Sequence, residues 1–350
     1  MACLGLTLLA PLLLALPCSW GQPCPPVPRN ATAFVCTAPD LYVFPSGLPS
    51  SILSISVEFT NLSAVSEDAL QGLPLLQELH LSSNRLHCLP AGLLWPVPEL
   101  RVLDLTGNLL EDLPPKIFCA SRLLQHLVLE GNRLGRVQPS WFRSLGALQW
   151  LDISGNQLQK LPPHCFLALH ALQSLDLSHN FLSSLPAAAL EGLAQLERLN
   201  LEGNRLQVLA EDTFHPTCGL RYLFLQNNSL SALPDAALLP LRRLDTLDLS
   251  HNALHTLDFH LPEPREALGL DLSGNPWVCD CHAAHFLCWL RSRPVHLYAR
   301  NQTLCQAPPE RYNRSLATLA ESELGVSCPL APRPGKPESQ ELPPSQVGKA

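Results

Sequence analysis

The stretch LERLNLEGNRL, Leu196 to Leu206, decides the fold, because its spacing of leucines around one asparagine recurs along most of the chain. Asn84, Asn108, Asn132, Asn156, Asn180, Asn204, Asn228 and Asn252 follow one another at intervals of 24 residues, and Asn275 closes the series one residue early. One interval before Asn84 stands Thr60, with Ile52, Ile55, Val57 and Leu62 keeping the apolar positions, so the copies number about ten with a degenerate first one. In the quoted stretch Leu199 and Leu201 alternate with Arg198, Asn200 and Glu202, the period of a strand with one buried face. Leu206 and Leu209 then return over the core, and Phe214 fills the far side, a place that Phe118, Phe142 and Phe166 hold in other copies. A single copy cannot bury these side chains alone, so each finds partners in the copies before and after it. The asparagine amide offers donor and acceptor to backbone groups in the bend that leaves the strand, which makes the ladder structural.

The template LxxLxLxxNxL resembles the leucine-rich repeat. The resemblance implies an α/β solenoid curved like a horseshoe, with a parallel β-sheet on its concave side. About ten strands at ~4.8 Å spacing give a sheet roughly 50 Å along its curve, a surface and not a pocket.

Residues 1–21 are apolar and uncharged and end in Ser19, Trp20, Gly21, as a secretory signal cleaved after about Gly21 would. Residues 22–51 read as an N-terminal cap, closed by a disulfide between Cys24 and Cys36 that covers the open end of the leucine stack. Repeats fill 52–275, a cysteine-rich C-terminal cap spans 276–328, and 329–350, rich in proline and poor in large apolar side chains, is expected to be disordered. Nothing after the signal is long and apolar enough for a membrane anchor. The net charge of −7 suits an extracellular protein and disfavours nucleic acid. Five Asn-x-Ser/Thr sequons, at Asn30, Asn61, Asn227, Asn301 and Asn313, agree with secretion and glycosylation; Asn227 lies at the edge of the concave face, where a glycan would crowd a partner.

The run NPWVCDC from Asn275, followed by Trp289, Cys305 and Cys328, resembles the cysteine-rich C-terminal flank of extracellular leucine-rich repeat proteins. That resemblance implies pairs Cys279–Cys305 and Cys281–Cys328. Cys88, Cys119, Cys165, Cys218 and Cys288 remain, either as small apolar residues within the repeats and cap helix or as partners in an intermolecular disulfide. Cys279, Cys281, His282, His285 and Cys288 form the densest group of potential metal ligands, but a secreted chain favours disulfides there, so no metal and no cofactor is expected. A phosphate-binding glycine loop, a nucleophile elbow and a Cys/His pair in a cleft are all lacking, so no catalytic residue is assigned and an enzyme is disfavoured.

What is left is the concave face. Outward strand positions carry Glu58, Glu78, Asp104, Glu130, Asp152, Asp176, Glu202, Asp248 and Asp271, opposed by Arg198 and, at the margin, Arg101 and Arg221. Such a stripe steers a basic partner; alternatively, the aspartates serve solubility, as in many such repeats. Trp150, Tyr222 and Phe224 also point outward, and exposed aromatics on a rigid sheet are the usual anchors of protein interfaces. Tyr222 neighbours Arg198, which gives a mixed anchor. The candidate partner-binding set is therefore Trp150, Tyr222, Phe224, Arg198, Asp104, Asp152, Asp176, Glu202 and Asp248.

The runs VEFTNLS, LQELHLSSN, PVPELRVLDLT, QLERLNLEGNRLQVL, LRYLFLQNNSL and LSGNPWVCD, within Val57 to Asp280, resemble those of the leucine-rich alpha-2-glycoproteins of vertebrate plasma. The phospholipase A2 inhibitors of the beta type are similar to the same glycoproteins. The first branch implies a plasma binder that modulates transforming growth factor beta signalling through growth-factor receptor components, or binds cytochrome c. The second implies direct occlusion of a basic phospholipase A2, in a trimeric assembly, so an oligomer is allowed. The four-cysteine C-terminal flank, the extra cysteines and the Pro-rich tail depart from that pattern.

Overall fold

The computed structural model describes residues 24–256, 261 and 267–324. The expected signal (1–21), Cys328 and the tail (329–350) lie outside the described residues. Short strands follow one another in chain order: β1 (Ala33–Cys36), β2 (Ser54–Val57), β3 (Glu78–His80), β4 (Val102–Asp104), β5 (His126–Val128), β6 (Trp150–Asp152), β7 (Ser174–Asp176), β8 (Arg198–Asn200), β9 (Tyr222–Phe224), β10 (Thr246–Asp248) and β11 (Leu268–Asp271). Each pairs in parallel with the next, and after β12 (Trp277–Val278) the strand β13 (Val295–Leu297) extends the same sheet beyond β11. β12 pairs instead with β14 (Cys305–Ala307). The fold is thus a parallel-sheet solenoid with few helices and a disulfide at each end.

The register holds the same leucine opposite itself from turn to turn, Leu79 against Leu103, Leu127 against Leu151, Leu199 against Leu223. These central leucines are buried, and fully burying each stabilises by about 1.5–3 kcal/mol. On the far side Phe118, Phe142, Phe166 and Phe214 are also buried, with Phe142 and Phe166 ring centroids 5.5 Å apart.

The asparagine ladder sews neighbouring turns together. Asn132 Nδ2 donates to the carbonyls of Leu129 (3.0 Å) and Glu130 (3.3 Å) in its own bend and of Leu105 (2.9 Å) one turn earlier. Its Oδ1 accepts from the backbone N–H of Leu110 at 3.1 Å. Asn108, Asn156, Asn180, Asn204 and Asn252 repeat this set. In the first copy a hydroxyl replaces the amide: the Leu62 N–H donates to Thr60 Oγ1 at 3.2 Å, and that hydroxyl donates to Asn84 Oδ1. The residue before each ladder asparagine turns left-handed, which glycine adopts cheaply, as at Gly131 (φ 65°); Phe59 (φ 55°) holds that conformation with a bulky side chain.

Cys24–Cys36 and Cys279–Cys305 are bonded, with Cα atoms 5.2 and 5.6 Å apart. Cys281 is disulfide-bonded as well, so two of the three thiols in the Cys279, Cys281, His282, His285 and Cys288 group are committed to disulfides. The remaining cysteines divide. Cys165 is buried and occupies the place taken by Ala189 and Ala237 in later turns; burial pushes its thiol up to about 12, so it is inert apolar filling. Cys119, Cys218 and Cys288 are exposed at turn and helix positions facing out from the leucine stack, unlike Cys165. Cys88 is disulfide-bonded, at a half-buried position just past Asn84. Among the described residues no helix is long and apolar enough to cross a membrane.

Candidate protein-binding surface

Side chains that leave the sheet toward the concave side form three parallel rows, because each strand presents its first and third residues outward and the residue two further on follows them. Along the first row run His126, Trp150, Ser174, Arg198 and Tyr222, one per strand from β5 to β9. Ser174 is the small member of that run, and its side chain sinks to 6% exposure while Trp150 beside it remains 40% exposed. The result is a depression of about 300 Å³ lined by His126, Gln149, Trp150, Gln173, Ser174, Glu197, Arg198 and Tyr222. Its aromatic walls, Trp150 and Tyr222, stand three strands apart, roughly 14 Å at ordinary strand spacing. That width accepts a side chain or a loop tip, and the rim is mixed in charge.

Arg198 stands opposite Tyr222 in register, but its guanidinium turns to lie 4.5 Å above the Phe224 ring. Tyr222 is faced instead by Arg221, whose guanidinium lies 5.5 Å from the ring centroid. The mixed anchor thus pairs Arg198 with Phe224, a contact that holds both side chains in place at the lower rim of the depression.

The second row carries Asp104, Asp152, Asp176 and Asp248, all half-buried. One oxygen of each is spent on its own backbone: Asp104 Oδ1 accepts from the Thr106 N–H at 2.9 Å, Asp152 from Ser154 at 2.8 Å, Asp176 from Ser178 at 2.9 Å and Asp248 from Ser250 at 2.9 Å. These aspartates close the bend where the ladder stops, so their recurrence has a local cause as well as any role toward a partner. The second oxygen of Asp176 accepts from Asn200 Nδ2 at 2.8 Å. Glu202, in the third row, accepts from Gln226 Nε2 at 2.8 Å and from Asn227 Nδ2 at 3.1 Å, so the sequon at Asn227 lies at the groove edge.

Crowding along the stripe shifts its titration. Burial, reinforced by the charges of Asp176 and Asp104, raises the Asp152 carboxyl, and burial with the charges of Asp271 and Glu202 raises Asp248. Glu130 is raised by burial and by Asp152, Asp176 and Asp104. Asp104 behaves oppositely: burial pushes it up, but hydrogen bonds from His80 and Thr106 win and hold it low. The signs follow. A group raised in the folded state takes up its proton there before the unfolded chain does, so Asp152, Asp248 and Glu130 favour folding as pH falls through their folded pKa values. The same protonation removes the field that attracts a basic partner. Acidification is therefore expected to weaken binding of a basic protein at pH values above the ordinary aspartate value of 3.8, while the melting temperature does not fall in step; parallel binding and melting titrations check this.

Of the residues read from the sequence, Trp150, Arg198, Tyr222 and Phe224 are brought together, Asp152, Asp176 and Glu202 lie below them, and Asp104 and Asp248 stand further along the groove. Gln149, Gln173, Ser174 and Glu197 complete the lining, residues that alternation within one strand does not mark as a site. Aligning the copies on their asparagines and reading the first outward column would have exposed the serine between large neighbours. Asn30, Asn227, Asn301 and Asn313 are exposed, whereas Asn61 is half-buried with its amide donating to the Pro39 carbonyl at 2.8 Å.

Comparison with known proteins bears on the family and the fold. The chain is 58% identical over 72 residues, 20% of its length, to a phospholipase A2 inhibitor of Gloydius brevicaudus siniticus and, over the same extent, to phospholipase A2 inhibitor beta of Elaphe climacophora. It spans 22% of the length of these relatives. Among solved structures the Toll–Spatzle complex of Drosophila superposes with a TM-score of 0.72 at 25% identity, covering 83% of this chain and 41% of that one. The profile of the leucine rich repeat matches residues 50–110, 98–158, 122–182, 151–206, 172–230, 194–254 and 218–276, which together span most of the chain. The protein belongs to the leucine-rich repeat family.

Proposed function

We propose that this is a secreted, glycosylated and non-catalytic binding protein whose concave face captures a basic extracellular protein, with the depression between Trp150 and Tyr222 receiving the partner's anchor. The observation that carries this reading is the juxtaposition of that depression with the acidic second row, Asp152 and Asp176, directly below it. The aromatics supply contact area at little entropic cost, and the acids supply orientation and on-rate. A basic phospholipase A2 is the first partner to test, because two relatives of this chain carry that inhibitory activity in their names. Binding without turnover then becomes inhibition by occlusion.

Modulation of transforming growth factor beta signalling is a second reading, supported by the runs between Val57 and Asp280 that resemble the plasma glycoproteins. Blood plasma is the matching location, and the same face would serve there. Surface plasmon resonance of the full chain against a basic secreted phospholipase A2, cytochrome c and the growth-factor receptor ectodomains separates the readings. Binding to the phospholipase with stoichiometric inhibition supports the first; binding to receptor ectodomains alone supports the second. Either interaction should weaken as salt rises across the physiological range. Failure to bind any basic protein would sink the charge argument. With the bound partner, Phe224→Ala is expected to weaken affinity by about 1–3 kcal/mol with an unchanged melting temperature, since the ring lies on the surface under Arg198.

A further inference from the structure

We propose that Glu58, His80 and Asp104 form a site for one divalent transition-metal ion, of the zinc class, on the concave face near the N-terminal end of the solenoid. The three come from successive turns: Glu58 follows β2, His80 ends β3 and Asp104 ends β4. Each is half-buried and offers one ligand atom, and the three atoms lie within 4.8 Å of one another. His80 Nδ1 is 3.8 Å from Asp104 Oδ2, so small side-chain rotations bring both onto one ion.

The donors are already held. Glu58 accepts the hydroxyls of Ser56 and Ser82, each at 2.5 Å, and Asp104 Oδ1 accepts the Thr106 N–H at 2.9 Å, which leaves Oδ2 directed toward the imidazole. Partners of this kind orient ligands and spare entropy on binding. Glu78, 4.0 Å from His80 Nε2, adds a third carboxylate around the one imidazole, so the local field attracts a cation.

The donor set selects the ion class. Calcium takes about six to eight oxygens, and magnesium keeps its waters; one imidazole nitrogen with two carboxylates suits zinc, with a remaining position for water or a partner's donor. The site lies on β2–β4, apart from the depression on β5–β9, and shares only Asp104 with the candidate partner-binding set, so a zinc titration without any partner tests it separately.

The test uses the full chain and Zn2+ alone, titrated against a chromogenic chelator near neutral pH. One equivalent of zinc is expected to be withdrawn from the chelator, and excess Ca2+ is expected not to displace it. His80→Ala and Asp104→Asn should each weaken binding by at least about tenfold with unchanged circular dichroism; Asp104→Asn retains the acceptor for Thr106 while losing the charge. His170→Ala, an exposed histidine elsewhere, should bind as the parent does. No withdrawal of zinc, equal binding by the His80 variant, or displacement by Ca2+ overturns the proposal.

Discussion

Asn156→Ala should cost about 2–4 kcal/mol of stability. Asn156 is 3% exposed. Its amide donates to the carbonyls of Leu129 (2.9 Å), Ile153 (3.2 Å) and Ser154 (3.0 Å), and its Oδ1 accepts from the Leu134 N–H at 2.9 Å. Alanine removes all of these at once and orphans the Leu134 N–H, while each carbonyl keeps one donor: Leu129 the Asn132 amide, Ile153 the Asn180 amide and Ser154 the Gly131 N–H. The orphaned N–H costs about 1–3 kcal/mol, and the loss of a second donor at three carbonyls that stay partnered adds less. Because each turn is supported only by its neighbours, the damage should also uncouple the two halves and broaden the denaturation transition. Asn228 provides the comparison. It makes the same set of bonds, to Leu201, Leu225 and Gln226, yet is only half-buried, so water can replace part of what alanine removes. Asn228→Ala should therefore cost clearly less. Guanidinium denaturation followed by circular dichroism measures both, and equal losses, or a loss under about 1 kcal/mol at Asn156, would falsify the view that the ladder carries stability.

The architecture was legible because one asparagine with buried neighbours must recur wherever a turn is closed the same way. The interval of 24 residues announced the solenoid, and the phenylalanines ten residues past Asn108, Asn132, Asn156 and Asn204 announced its far wall. The site was legible only in part. Alternation along a strand says that Trp150, Tyr222 and Phe224 leave the sheet, but not where each side chain then turns. Arg198 shows the gap: register sets it beside Tyr222, yet it settles over Phe224. Lateral neighbours are separated by a whole repeat, so clusters such as Glu58, His80 and Asp104 have no local spacing to betray them. The recurring aspartates were ambiguous for a further reason, since one residue type both closes its own bend and charges the groove. Cys88 and the exposed cysteines depend on which way a surface turn faces, which periodicity does not encode.

Ser174→Arg should abolish measurable partner binding, or weaken it by at least about 100-fold, about 2.7 kcal/mol, while the protein keeps its melting temperature. Ser174 forms the floor of the depression, with Trp150 on the strand to one side and Arg198 on the strand to the other. Its Cβ points away from the leucine core, so a longer side chain extends into the depression and not into packed interior. Arginine there does two things together: it fills the volume meant for the partner's anchor, and it sets a positive charge against a basic ligand. Trp150→Ala separates these effects, because it removes contact area without blocking the space. That variant should weaken binding by about 1–2 kcal/mol, with association rate little changed. Ser174→Arg should in addition slow association, since the steering field above Asp152 and Asp176 is partly cancelled. A partner that binds the Ser174→Arg protein as it binds the parent would place its contacts outside the depression, and the concave anchor would have to be sought in another stretch of the sheet.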